Sequence, residues 1–366
     1  MPSLLPLPTP PAGGPWPTHE WEEVDPPPEV VDGGLDAMLD ALVGPDADVA
    51  VGHTNAIAVV HRGRLVVERY GDREMGPLAE LAGVAPGPLG PDDRLGSWSM
   101  AKSLLHLAVG VAGAQGHLEL DRPAPVPEWQ AGDDRRAAIT WDDLLTMRPG
   151  LRWTEVYDGF DADSLPDVVA MLYGSGAADM AAYAADHPLV AEPGSPAAYC
   201  YSSGTSNIVS ACLQRTLGVA PGAMGDWVRE AILDPIGVTT ATFGDDEAGT
   251  WVASSYVDMV ARDWLRLGFL VLRGGTWDAT PVVPAAWIDH GRTPRSEDPP
   301  LHHGAHWWAR PTRDDGMFMA HGFEGQRLMM APARDLVLFR QGKTAADDID
   351  TLNDRLLAVA DLFPTV

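Results

Sequence analysis

The chain of 366 residues carries 25 Lys and Arg against 52 Asp and Glu, a formal charge of −27, with 45% hydrophobic residues and two cysteines. That length accommodates a large core and a cleft between subdomains without covalent staples. The acidic balance repels phosphate backbones and anionic headgroups, which disfavours nucleic-acid partners and polybasic membrane attachment and favours a neutral or cationic small molecule. Within the basic set only Lys102 and Lys343 are lysine, the other 23 being arginine. GC-rich codon usage explains the bias as a whole, together with 38 Gly and 33 Pro. It does not explain why lysine persists at two positions.

Residues 1–28 are Pro-rich and predict an extended arm or strap. The first Lys or Arg is Arg62, so no positively charged secretory leader or twin-arginine pair is recognised, and no apolar run reaches the length of a membrane span. The expected location is the cytoplasm, where Cys200 and Cys212 would remain reduced. Val31–Leu42 predicts a short amphipathic helix, and Ala56–Tyr70 a hairpin turning at Arg62-Gly63. A loop at Pro91–Gly96 leads into a helix from Ala101 to Gln115 that Gly116 stops. Thr140 with Asp143 signals a capped helix start, and Pro149-Gly150 its end. Asp179–Ala185, Thr205–Leu217 and Ser255–Leu272 read as further helices. Gly316–Ala320, Gln326–Ala331 and Leu336–Gln341 read as strands. The expected organisation is an α/β (α+β) fold, an antiparallel sheet flanked by helices and built from both chain ends. Its parts are an arm and short helix at 1–45, a sheet subdomain at 46–130 plus 235–366, and an inserted all-helical subdomain at 131–234.

Three motifs carry chemistry. Ser99-Met100-Ala101-Lys102 places a hydroxyl and an amine one helical turn apart at a helix N-terminus, where backbone N–H groups also converge. Arginine does not deprotonate in proteins, whereas a desolvated lysine becomes a neutral amine able to take a proton from serine. The retention of lysine here therefore has a chemical reason; Lys343 reads as an exposed charge. Tyr201-Ser202-Ser203, between the Pro193-Gly194-Ser195 turn and a helix that includes Asn207, can present a phenol to a cleft and relay a proton beside a cation. Ala320-His321-Gly322-Phe323-Glu324-Gly325-Gln326 sets glycines in a strand pattern, where close backbone approach and an N–H aimed at an oxyanion are possible. His302, His303 and His306 lack a carboxylate or thiol at ligand spacing, and Trp307-Trp308 beside them read as a cleft rim or surface loop. No motif calls for a metal or cofactor.

These three motifs in this order resemble the serine β-lactamase-like and penicillin-binding superfamily, especially its class C-like branch of esterases, D-aminopeptidase-like proteins and 6-aminohexanoate-dimer hydrolases. The resemblance runs from about Ala56 to Phe363 and includes Leu144-Leu145-Thr146-Met147-Arg148-Pro149-Gly150-Leu151 and Tyr256-Val257-Asp258-Met259. It implies Ser99 as nucleophile, Lys102 as base partner, Tyr201 as general acid/base, and an oxyanion hole from the backbone N–H groups of Ser99 and Phe323. It also implies substrate contacts from Ser203, His321 and Gly322, while Tyr157, in the loop after Leu151, is a candidate wall of the acyl pocket. Two departures stand out. Ala320-His321-Gly322 occupies the place of Lys-Thr-Gly, and Ser203 that of a frequent Asn. The expected activity is hydrolysis of a small ester or amide through an acyl-enzyme. A β-lactamase or D,D-peptidase and a non-catalytic binding protein are the alternatives.

Overall fold

The computed structural model describes residues 4–9, 14–73, 87–157 and 164–366. Strands β1 (His53–His61) and β2 (Arg64–Tyr70) form the expected hairpin. Arg62 and Gly63 both sit at positive φ, 52° and 80°, as a tight two-residue turn between right-twisted strands requires. Short strands β3 (Leu95–Gly96), β4 (Thr242–Phe243) and β5 (Val257–Met259) form a small sheet in the order β3-β5-β4. A two-stranded ribbon follows, β6 (Thr276–Trp277) and β7 (Thr280–Pro281). The remaining strands are β8 (Ser296–Asp298), β9 (Leu301–His303), β10 (Trp308–Ala309), β11 (Phe318–Gly322), β12 (Gln326–Ala331) and β13 (Leu336–Lys343).

The main sheet has eight strands in the order β2-β1-β13-β12-β11-β10-β9-β8. Its pairs are antiparallel, and β1 from the front of the chain lies against β13 from the back, with Val59 opposite Leu338. Side chains alternate between two faces. Ala56, Ala58 and Val60 of β1, with Val337 and Phe339 of β13, join the core beneath the Ala261–Leu272 helix, where Trp264 stacks on Phe339 at 6.2 Å. Ile57, Val59 and Leu338 face the other way, onto Leu352 and Leu356 of the Ile349–Asp361 helix. Each fully buried side chain of this kind contributes on the order of 2 kcal/mol of transfer free energy. Between the front and back strands the chain is mainly helical.

Local signals hold well where the chemistry is local. Thr140 and Asp143 make a reciprocal capping box on the Trp141–Leu145 helix, which ends earlier than Pro149-Gly150 suggests. The helix after Ser99 runs Ala101–Ala114, and the helix after Tyr201 runs Ser203–Leu217. Two expectations fail. Gly33-Gly34 split the helix expected over Val31–Leu42 into Pro28–Asp32 and Leu35–Asp40. The helix expected over Ser255–Leu272 begins only at Ala261, because Val257–Met259 is taken as a strand between β3 and β4.

The Pro-rich arm is a strap held by arginines. Arg266 donates to the carbonyls of Pro17 at 2.7 Å and His19 at 3.1 Å, Arg273 to that of Pro8, and Arg292 to that of Leu5. Trp16 packs edge-on against Phe269. Residues 22–24 then bridge to the outer edge of β2 and cover its unpaired backbone. Cys200 and Cys212 are free thiols. Among the described residues no helix is long and apolar enough to cross a membrane.

Candidate active site

Ser99 lies in a single helical turn, Trp98–Met100, that feeds directly into the Ala101–Ala114 helix. Trp98 has φ 43°, a left-handed conformation that costs a bulky residue about 1–3 kcal/mol and must be imposed by its surroundings. Those surroundings are the β5 segment: Ser97 N–H donates to the Val257 carbonyl at 2.9 Å, and Ser97 Oγ bridges the Ser255 carbonyl and the Val257 N–H. The strand that replaces the first part of the expected helix is thus what fixes the Ser97–Ser99 turn.

Lys102 follows one turn later and is 1% exposed. Its Nζ donates to Ser99 Oγ at 2.8 Å, Ser203 Oγ at 3.0 Å and the Ser254 carbonyl at 2.9 Å. Burial pulls its pKa from the ordinary lysine range down to about 8, against an opposing pull from Glu155. Asn207, which accepts from Ser254 N–H at 3.2 Å, holds the loop that presents the Ser254 carbonyl.

Tyr201 lies beside this pair, with Lys102 Nζ 5.1 Å from its ring centroid. Burial, reinforced by Glu155, keeps its hydroxyl protonated well beyond the usual phenol range. Its ring packs on Trp308 at 5.2 Å and His303 at 5.9 Å. His303 is fully buried, and burial with nearby Lys102 pushes its pKa down to about 3, so it remains neutral. The expectation of a cleft rim or surface loop at Trp307-Trp308 is therefore corrected: both are buried, with His303 and His306, where the internal strands β9 and β10 meet in the sheet. Among the described residues no group of three or more His, Cys, Asp or Glu side chains is arranged to hold a metal.

The third motif approaches from β11. Gly322 is buried, and a Cβ there would lie 2.6 Å from the Ser97 carbonyl, so only glycine lets the end of β11 lie this close to the Ser97–Ser99 turn. Phe323 then meets Trp98 edge-on at 5.8 Å and stacks on Tyr157 at 4.4 Å. Trp98, Tyr157 and Phe323 thus gather on the side where Ser99 lies. His321 is partly buried against Trp308 at 5.7 Å, and burial with the charges of Arg327 and Arg310 holds it far below the ordinary imidazole range.

The structure thus gathers Ser99, Lys102, Tyr201, Ser203, Phe323, Gly322, Tyr157 and His321 in one region. Ser203 is fully buried and sits behind Lys102. What the sequence motifs missed is Glu155, which accepts from Ser203 Oγ at 2.5 Å and Tyr157 OH at 2.7 Å. The signal for it, a lone carboxylate between Trp153 and Tyr157, is visible only once the loop is known to fold inward.

A large antiparallel sheet flanked by helices, with a serine and lysine at the head of a helix lying against it, defines the β-lactamase/transpeptidase fold. The chain belongs to the Beta-lactamase family, whose model matches residues 35–359. Solved structures with this architecture include a candidate 6-aminohexanoate-dimer hydrolase from Bacillus anthracis, with TM-score 0.72 and 19% identity, covering 93% of this chain and 87% of that one. A penicillin-binding protein homologue from Caulobacter crescentus has TM-score 0.63 and 18% identity, covering 92% and 98%. A β-lactamase from Mycobacterium bovis has TM-score 0.60 and 17% identity, covering 90% and 100%. No curated protein matches the chain.

Proposed function

We propose that the protein is a serine hydrolase that cleaves a small ester or amide through an acyl-enzyme. The observation that carries this is the buried Lys102 amine, 2.8 Å from Ser99 Oγ and with its pKa drawn down to about 8. A lysine so placed is neutral in a useful fraction near neutral pH and able to accept the serine proton. Ser99 Oγ then attacks the carbonyl carbon while its proton passes to Lys102 Nζ. The carbonyl oxygen becomes an oxyanion held by the N–H groups of Ser99 and Phe323. Collapse of the tetrahedral intermediate breaks the bond to the leaving alcohol or amine, which takes its proton through Tyr201. Water reverses these transfers, releasing the acid and restoring Ser99.

The substrate class follows from what the site lacks and what surrounds it. Ala320-His321-Gly322 provides no lysine to meet a β-lactam or peptide carboxylate. Trp98, Tyr157 and Phe323 offer aromatic surface suited to a small acyl or ω-aminoacyl chain. The likeness to a candidate 6-aminohexanoate-dimer hydrolase is compatible with a linear amide as well as an ester. The test is intact-mass analysis after a fluorophosphonate probe, alongside p-nitrophenyl acetate and butyrate turnover. A single adduct on Ser99 and loss of turnover in Ser99→Ala are expected. Turnover that survives Ser99→Ala refutes the assignment.

A further inference from the structure

Glu155 belongs to none of the three motifs, yet its carboxylate is built into the site. Oε1 accepts from Ser203 Oγ at 2.5 Å and from Tyr157 OH at 2.7 Å. Oε2 accepts from Trp153 Nε1 at 2.6 Å and from Ser203 N–H at 2.9 Å, at the N-terminus of the Ser203–Leu217 helix. All four partners are donors, so the position calls for acceptors at both oxygens, which a carboxylate has and an amide lacks.

The consequence lies one bond further on. A serine hydroxyl has a single proton, and Ser203 commits its own to Glu155. Toward Lys102 it therefore presents only a lone pair, at 3.0 Å. The Ser254 carbonyl, the third partner of Lys102, is an acceptor by nature. When Lys102 loses a proton it keeps two, and the two legs that cannot reverse are those to Ser203 and Ser254. The lone pair is left facing Ser99. We propose that Glu155 is a positioning residue that aims the neutral Lys102 amine at Ser99 by holding the Ser203 proton, an inference that rests on the hydrolase assignment above.

Glu155 also acts on Lys102 through its charge, being the one group that raises the lysine pKa against burial. The other titratable groups around Lys102 are His303, His306, His321 and Tyr201. Burial keeps the three imidazoles neutral and the phenol protonated, so they carry no compensating charge.

The test reads the rate of fluorophosphonate labelling of Ser99 from pH 6 to pH 10 in four proteins: wild type, Glu155→Ala, Glu155→Ala with Ser203→Ala, and Glu155→Gln. Because the chain has only two lysines, ¹⁵Nζ-lysine NMR also follows Lys102 directly, with Lys343→Arg assigning the second signal. In Glu155→Ala the freed Ser203 proton competes for the Lys102 lone pair, and labelling on the high-pH plateau, where Lys102 is neutral in every variant, slows about tenfold or more. Removing the Ser203 hydroxyl as well takes away the competitor, so the double variant labels faster than the single one. Loss of the carboxylate charge lowers the Lys102 midpoint in both Glu155→Ala and Glu155→Gln. A double variant no faster than Glu155→Ala overturns the proposal. If Glu155→Ala fails to fold, seen as loss of cooperative melting, Glu155→Gln, whose NH2 donates to Ser203 Oγ and so also frees the Ser203 proton, takes its place in the same comparison with and without Ser203→Ala. Wild-type protein that leaves Ser99 unlabelled sinks the hydrolase assignment instead, and the lysine titration separates the two failures.

Discussion

Gly322→Ala is the sharpest perturbation of the proposed oxyanion site, because it adds one methyl group and no polarity. The new Cβ would stand 2.6 Å from the Ser97 carbonyl oxygen and 2.8 Å from Gln326 Cβ, where ordinary contact begins near 3.4 Å. Both obstacles are close to backbone and cannot swing aside, so the end of β11 must retreat from the Ser97–Ser99 turn by about 0.8 Å. Overpacking of this size costs about 1–3 kcal/mol, a modest loss for the whole fold. Its effect on catalysis is larger, since a misplacement approaching 1 Å of groups that must meet a reacting atom reduces rate about a hundredfold. Backbone φ at Gly322 is −120°, so the change acts through the contact and not through backbone strain. The assay is steady-state p-nitrophenyl butyrate hydrolysis together with thermal melting. The expected result is kcat lowered by about two orders of magnitude with KM nearly unchanged and a cooperative melt a few degrees lower. Wild-type kcat in a folded Gly322→Ala protein refutes the placement of Phe323 N–H in the oxyanion hole.

Other predictions address the base, the strap and the charge. With Lys102 lowered to about 8, ester turnover rises as pH increases through that value, and Lys102→Arg, which cannot supply a neutral base, loses about 10³-fold of kcat at every pH; a flat pH profile between 6 and 9 contradicts this. The linkage has a definite sign. The folded state binds its Lys102 proton less tightly than the unfolded chain, so this group destabilises below pH 8, and that cost is relieved as pH rises from about 8 toward 10.5. Arg266→Ala removes two strap contacts and leaves Asp263 without the guanidinium 2.6 Å away, a buried pair whose breaking costs about 3 kcal/mol. Differential scanning fluorimetry would show this as a drop of several degrees, and no change would mean the other contacts of the arm hold it without Arg266. The formal charge of −27 predicts that the melting temperature climbs with added NaCl from low ionic strength, as screening relieves self-repulsion. A melting temperature that falls over that range would contradict this.

Much of this site was legible before any coordinates. The Ser99 and Lys102 side chains lie one helical turn apart, an arrangement that local geometry alone dictates. The Arg62-Gly63 turn and the Thr140–Asp143 capping box are equally local, and both are present. The composition added the point that a lysine, scarce in this chain, sits where arginine cannot serve. One failure was local, the Gly33-Gly34 pair that splits the expected Val31–Leu42 helix, and another came where long-range pairing overrides local pattern. Tyr256-Val257-Asp258-Met259 has side chains compatible with a helix, yet Val257–Met259 lies between two short strands, and its backbone holds the Ser97–Ser99 turn.

The sequence by itself determined the local pieces: the helix that follows Ser99, the capped and hairpin turns, the glycines that permit close approach, and the chemical types in each motif. Only the tertiary structure decided which of them meet. Lys102 reaches Ser203 across 101 positions and the Ser254 carbonyl across 152, and Glu155 reaches Ser203 across 48. Such contacts depend on β1 finding β13 in register and on loops folding inward, neither of which periodicity or propensity encodes. Helical spacing placed Lys102 beside Ser99; the packed fold supplied the burial that lowers the lysine pKa and the partners that surround its amine.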